Sequence, residues 1–257
     1  MNLSVTCDQQ KNLEKLTRLQ SQSESWFDFR AGKVTASLVY DVCRTSVTQP
    51  SKSLLMKICY PLKCRFSSPQ TNWGLSKEFT ALSVYEENCK SKHSEFCVER
   101  CGFIVSVDNP RFGASPDSIV SCLCCGRGCI EVKCPYKCKS SLKIEVDYVI
   151  GSGTTFQLDP NHRHYYQVQF QMFVLKVKYC DFVVWSPNDI VIIRIPFNVD
   201  FCDRFLDKPV DFHENCVMPE LLCKFFSHGL KATAPAILCD NVDIAGNVTV
   251  ASEVTPS

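Results

Sequence analysis

The sequence predicts an α/β fold of three layers, a mixed central sheet flanked by helices. Two observations carry the prediction. Segments with helical spacing of apolar residues come first, a block of apolar-rich strands follows, and a well-marked helix separates that block from two further strands. The 257 residues, 45% of them hydrophobic, also suffice for one domain of ordinary core size.

The elements follow in order. Residues 1 to 20 read as a polar extension, a short helix of no evident role. Ser23 or Ser25 can cap a helix through Arg30, with Trp26 and Phe29 on its inner face, and Gly32 breaks it. A second helix is predicted from Thr35, where Leu38, Val39, Val42 and Cys43 recur at helical spacing. A Ser/Thr/Pro-broken connection over 45 to 70 holds a short helix, SLLMKICY. From Leu75 to Cys89 a longer helix has Phe79, Leu82 and Val84 to bury. Strands come next in FCVERCGFIVSVD, then a hairpin over 117 to 133. Residues 144 to 164 form an irregular crossover with Gly151, Gly153 and Pro160. The clearest helix runs from Tyr165 to Val177. Tyr166, Phe170, Phe173, Val174 and Val177 make its apolar stripe, and Gln167 and Gln171 lie off it. DFVVW and IVIIRIPF pair across a turn-rich connector, and a helical segment near 200 to 228 closes the domain. From 232 to 257 there is no Lys or Arg and few large apolar groups, so a disordered tail is expected behind a folded domain over 21 to 231.

Charge and composition narrow the classes. A net charge of +1 is not the profile of a protein that coats nucleic acid indiscriminately. Basic residues are concentrated locally instead, at Lys133, Lys137, Lys139 and Lys143 and again at Lys176 and Lys178, as a DNA channel requires. No stretch reaches the roughly 18 apolar residues that cross a membrane, so no membrane partner is expected. The start carries no signal-peptide core, which implies an intracellular protein, nuclear or cytoplasmic and not secreted. The eighteen cysteines are then expected as thiols or metal ligands rather than as disulfides.

The chemistry concentrates between residues 115 and 133. Ser115-Pro116-Asp117 is followed, fourteen residues after the Asp, by Glu131-Val132-Lys133. SIVSCL and GCIEVKC form two strand arms, with CCGRG as the Gly turn between them. Alternation on a strand puts Glu131 and Lys133 on one side and Val132 on the other, and a hairpin could bring Asp117 beside them. Two carboxylates with open water positions suit Mg²⁺ or Mn²⁺, and a nearby ammonium could steady a hydroxide or phosphate charge. That is equipment for metal-assisted phosphodiester hydrolysis. The bland alternatives are a solvated E-x-K strand and an Asx turn at Asp117.

Four blocks, in order, resemble the YqaJ viral-recombinase group, the relatives of phage lambda exonuclease within the PD-(D/E)xK nuclease superfamily. The first is Trp26 to Gly32 with Thr35-Ala36-Ser37, like the family's W-x3-R-x-G-x2-T-A-S; the second is Trp73-Gly74 with Glu78. The third is Ser115-Pro116-Asp117 with Glu131-Val132-Lys133-Cys134-Pro135. The fourth is Gln167-Val168-Gln169 with Phe173 and Trp185-Ser186-Pro187. The likeness covers roughly residues 20 to 215. It implies a restriction-endonuclease-like core and a metal-dependent deoxyribonuclease, a 5′→3′ exonuclease on linear duplex ends that serves recombination or DNA processing. Asp117, Glu131 and the Val132 carbonyl become the expected metal ligands, Lys133 the group that orients the attacking water, and Glu78 and Gln167 further catalytic residues. Arg30, Ser37 and Ser115 resemble a pocket for a terminal 5′-phosphate. Arg supplies a donor fork, and Ser37, read as early in a helix, adds free backbone N–H groups. The likeness further implies a ring-shaped homotrimer around DNA and a strand-annealing protein as partner. Ser118, where the family has glycine, puts the turn geometry in doubt and leaves the carboxylates intact.

Cys122, Cys124, Cys125 and Cys129 crowd the hairpin turn and form a candidate structural Zn²⁺ set, although C-x-C-C-x3-C is not a common knuckle. Two rival functions remain open. One is a DNA-binding module derived from such a nuclease that no longer cuts; the other is a Cys-rich zinc interaction protein.

Overall fold

The computed structural model describes residues 4–140, 144–151 and 155–227; the expected tail over 232 to 257 and Lys143 lie outside them. Helix α1 (Cys7–Leu16) starts on a capping box in which Thr6 and Gln9 exchange side-chain-to-backbone bonds. It buries no residue, yet it is anchored. Gln10 Nε2 donates to the Val105 carbonyl at 2.6 Å, and Glu14 Oε1 accepts the Gly102 N–H at 2.9 Å. Thr17, fully buried just beyond the helix, accepts the Phe103 N–H at 2.7 Å.

Helix α2 (Glu24–Arg30) buries Phe27, whereas Phe29 is exposed and Trp26 half-buried, so its inner face is not the one the sequence predicts. Where helical spacing predicts a second helix at Thr35, the chain makes a two-residue strand, β1 (Val34–Thr35); helix α3 (Val39–Arg44) starts later. The β-branched pair runs parallel to Phe112-Gly113, and that pairing outweighs the local helical pattern. Gly32, between α2 and β1, has φ +73°, and a Cβ there would stand 2.7 Å from Leu221 Cδ1. Helix α4 (Lys52–Cys59) is capped by Ser51.

Helix α5 (Pro69–Lys90) begins six residues before the predicted start, on a Ser68/Thr71 capping box with proline in its first turn. It buries Ala81, Tyr85 and Cys89, a stripe at intervals of four. The predicted stripe is displaced: Phe79 is 67% exposed, and Leu82 and Val84 are half-buried.

The strands follow as β2 (Cys97–Arg100), β3 (Ile104–Val105), β4 (Phe112–Ala114), β5 (Ser118–Cys122) and β6 (Gly126–Lys133). A short pair, β7 (Val149–Ile150) and β8 (Gln157–Leu158), lies in the crossover. Helix α6 (Arg163–Leu175) and the antiparallel strands β9 (Tyr179–Ser186) and β10 (Asp189–Pro196) come next. The chain then forms α7 (Val199–Asp203), α8 (Asp207–Phe212), a π-helical turn over His213–Val217 and α9 (Met218–Cys223).

The main sheet has the order β10-β9-β6-β5-β2; β6 and β9 are parallel and every other pair antiparallel, so the sheet is mixed. A smaller sheet, β1-β4-β3, stands apart from it. On one face of the main sheet Ala81 and Tyr85 of α5 pack with Val120, Ile130, Val132, Val183 and Trp185. On the other, Val168, Met172 and Leu175 of α6 pack with Cys129, Phe182, Val184 and Ile193. Helix, sheet and helix are the three layers the sequence predicts. The C-terminal helices are locked by Glu220, which is fully buried and accepts from Tyr60 Oη at 3.0 Å and the Phe226 N–H at 3.0 Å.

Candidate active site

Pleat alternation on β6 sends Ile130 and Val132 toward α5 and Cys129 and Glu131 toward α6. In the β5–β6 register Ser118 faces Ile130, and the Asp117 N–H donates to the Ile130 carbonyl at 3.1 Å. One step further along that antiparallel register, Asp117 stands across from Glu131. Its Oδ2 accepts the Val132 N–H at 2.6 Å, which fixes the carboxylate at the end of the hairpin.

Glu131 is 3% exposed and is held from three sides. Lys133 Nζ donates to its Oε1 at 2.5 Å, Gln167 Nε2 to the same oxygen at 2.6 Å and Gln171 Nε2 to Oε2 at 2.6 Å. Gln167 and Gln171 are one helical turn apart on α6, so one face of that helix presents both amides to one carboxylate. Glu78 approaches from α5, and with Asp117, Arg100, Leu75 and Phe79 it lines a cleft of about 130 Å³.

These groups feel each other. Burial raises the Asp117 carboxyl well above its ordinary range, and the charges of Glu131 and Glu78 raise it further. Glu78 is raised by burial and by Glu131. Burial alone would lower the Lys133 ammonium, but Glu131, Asp117 and Glu78 outweigh it and hold the group above its usual value. Three carboxyls and one ammonium crowded this way are short of positive charge.

The second constellation also assembles. Arg30 Nη2 donates to Ser37 Oγ at 3.3 Å and to Thr35 Oγ1 at 3.4 Å, and its guanidinium lies 3.8 Å from the centre of the Trp26 ring. Trp26 Nε1 donates to Ser115 Oγ at 2.9 Å, so Trp26 links the three residues predicted for a phosphate pocket. Burial lowers the Arg30 guanidinium to about 10. An adjoining cavity of about 560 Å³ is lined by Arg30, Lys57 and Arg65. Ser37 sits in the turn before α3, not early in a helix, so its hydroxyl rather than a helix N-terminus is what it offers.

The YqaJ-like viral recombinase domain matches residues 25–177, a span that holds every predicted catalytic and phosphate-pocket residue. The chain belongs to the YqaJ-like viral recombinase family. This YqaJ-family chain is 26% identical over 216 residues to the alkaline nuclease of Autographa californica nuclear polyhedrosis virus, covering 76% of the chain and 48% of the relative. It thus spans about half the length of that curated relative. Among solved structures, an alkaline exonuclease from Laribacter hongkongensis superposes with a TM-score of 0.58 at 22% identity, covering 80% of this chain and 97% of that one. The shutoff and exonuclease protein of Kaposi's sarcoma-associated herpesvirus gives 0.55 at 13% identity, covering 86% and 74%. Both share the fold.

Several residues of the YqaJ-family site escape sequence reading. Thr35, Trp26 and Gln171 act as partners of predicted residues without a role assigned from sequence; Trp26 and Thr35 lie in the first motif block, and Gln171 lies off the apolar stripe one turn from Gln167. His164, one turn before Gln167, has a buried Nδ1 with no hydrogen-bond partner, and burial with the Lys133 charge drives its imidazole down to about 2. Of the lysines predicted for a basic wall, Lys176 pairs at the surface with Asp108 at 2.6 Å. The predicted zinc set is also altered. Cys129 is fully buried in β6 with its Sγ 3.9 Å from the Tyr179 carbonyl, while His93 takes a place among Cys122, Cys124 and Cys125.

Proposed function

We propose that this chain is a divalent-metal-dependent deoxyribonuclease, with Mg²⁺ or Mn²⁺ as the ion, and a 5′→3′ exonuclease on linear duplex ends. The observation that carries the reading is Asp117 standing across the hairpin from Glu131, with Glu78 closing in from α5. The donor set fits a hard cation, since it is all oxygen and its carboxyls oppose one another's ionisation. Asp117, Glu131 and the Val132 carbonyl would hold it. Bound there, the ion supplies phosphate charge neutralisation and a lowered water pKa.

The chain's own residues supply the rest. Gln167 and Gln171 fix the plane of the Glu131 carboxylate, so that it meets its ligand without reorganising. Lys133 Nζ, pinned by Glu131, is placed to hold the attacking water or a non-bridging phosphate oxygen. Arg30 offers a half-desolvated donor fork to a 5′-terminal phosphate, with Thr35, Ser37 and Ser115 adding hydroxyls. Capturing that phosphate orders digestion from the 5′ end. The likeness to the baculovirus alkaline nuclease supports the same reaction.

The test is a digest of 5′- and 3′-labelled linear duplex beside a closed circle, with Mg²⁺ and with EDTA. Release of 5′ label from the linear substrate only, and only with metal, is expected. Binding without any metal-dependent release would favour the inactive DNA-binding module. On the same reading the chain acts inside the cell as a cyclic homotrimer that encircles duplex and passes single strand to an annealing protein. Mass measurement on DNA, and processivity under competitor challenge, test the ring.

A further inference from the structure

The tip of the β5–β6 hairpin reads Cys122-Leu123-Cys124-Cys125-Gly126, and all three thiols are free. His93 faces them from the loop just past the end of α5. Its Nδ1 lies 3.0 Å from Cys124 Sγ and 3.6 Å from both Cys122 Sγ and Cys125 Sγ. Between sulfurs the distances are 3.4 Å for Cys122 to Cys124 and 3.8 Å for Cys124 to Cys125. All four ligand atoms fall within 4.8 Å of one another. Tetrahedral zinc, with sulfurs at about 2.3 Å and an imidazole nitrogen at about 2.0 Å, sets edges of about 3.8 Å between sulfurs and about 3.5 Å from nitrogen to sulfur. Five of the six edges lie within about 0.5 Å of those values.

We propose that His93, Cys122, Cys124 and Cys125 form a structural zinc site that clamps the end of α5 to the tip of the β5–β6 hairpin. Four protein ligands close the tetrahedron and leave no open position, which makes the site structural rather than catalytic. Soft thiolates select zinc over the hard cations that suit the carboxylate site, so the two sites take different ions.

The outer groups fit a metal-bound cluster with three anionic sulfurs. The Cys125 N–H donates to Cys122 Sγ at 3.3 Å, and Arg194 Nη1 donates to Cys125 Sγ at 3.1 Å. Arg194 is itself held by Asp181 at 2.8 Å and 2.9 Å, and the buried Asp181 accepts from Tyr85 Oη at 2.6 Å. The His93 ring stacks on Phe96 at 5.5 Å, which fixes its plane. The cluster is therefore tied through β10 and β9 back to α5. Since α5 carries Glu78 and the hairpin carries Asp117 and Glu131, a clamp at their far ends sets the approach of the two elements.

The test is the zinc content of the full chain, purified from zinc-supplemented medium under reducing conditions and gel-filtered. About one zinc per chain is expected. His93→Ala and the Cys124→Ser/Cys125→Ser pair should retain at least ~10-fold less. Cys97→Ser, an exposed cysteine outside the cluster, and Asp117→Asn should keep it all. Cobalt-loaded protein should show thiolate charge-transfer absorption with tetrahedral d–d bands. If the double variant fails to fold, His93→Cys serves instead, retaining zinc with a shifted cobalt spectrum. Zinc content no higher than in buffer, zinc undiminished by His93→Ala, or cobalt bands without thiolate character would each overturn the site. Hydrogen exchange across 122 to 126 should accelerate when zinc is stripped, and unchanged exchange would overturn the clamp.

Discussion

Three donors converge on Glu131, a carboxylate only 3% exposed. Glu131→Ala is expected to lower cutting by at least ~10²–10³ while leaving DNA affinity nearly intact, because the phosphate-binding cations stay in place. Single-turnover rates beside gel shifts check this. Arg30→Ala should slow digestion of 5′-phosphorylated ends and spare 5′-hydroxyl ends; equal slowing of both would remove the pocket assignment. The raised Asp117 and Glu78 carboxyls have a consequence for stability. Their folded-state values lie above their unfolded ones, so above the ordinary carboxylate range of about 4 the folded protein retains more protons than the unfolded chain, and stability falls as pH rises there. A divalent cation offsets that repulsion. The rise in melting temperature on adding Mg²⁺ should therefore grow with pH and should shrink in Asp117→Asn.

At the scale of elements, Gly32 is the sharpest case. Its left-handed backbone strains any side chain placed there, and a Cβ would also push the Leu221 side chain aside. Gly32→Ala is expected to cost about 1–3 kcal/mol in urea unfolding, and because β1 and Thr35 follow directly, to disturb the Arg30 contacts as well. The sequence shows the elements better than their faces. Asp117 and Glu131 could be paired from sequence because a Gly turn sets hairpin register, and register dictates which side chains meet. The stripes of α2 and α5 could not, since two faces of a short helix read alike until a partner is known: Phe27 rather than Phe29 meets the core, and Tyr85 rather than Phe79. Thr35 reads as the start of a helix because the parallel partner of its strand lies far along the chain. His93 could not be assigned to the cysteine cluster either, since no short spacing joins it to Cys122.

At the scale of the whole molecule, the hairpin that carries Asp117 and Glu131 is central. Strand β6 lies between β5 and β9, and β9 begins only after the family match ends at residue 177. The same match starts at residue 25, beyond the Glu14 and Thr17 contacts that satisfy the Gly102 and Phe103 amides. The span that the family match covers is therefore not a folding unit. A fragment cut to 25–177 would leave β6 as an unpaired sheet margin, its backbone donors bare and its apolar faces wet, a template for intermolecular strand addition. Such a fragment is expected to precipitate or form fibrils on expression, whereas 4–227 should stay monodisperse in light scattering. Anyone trimming this protein to the matched span would be manufacturing a sticky edge along the strand that carries Glu131.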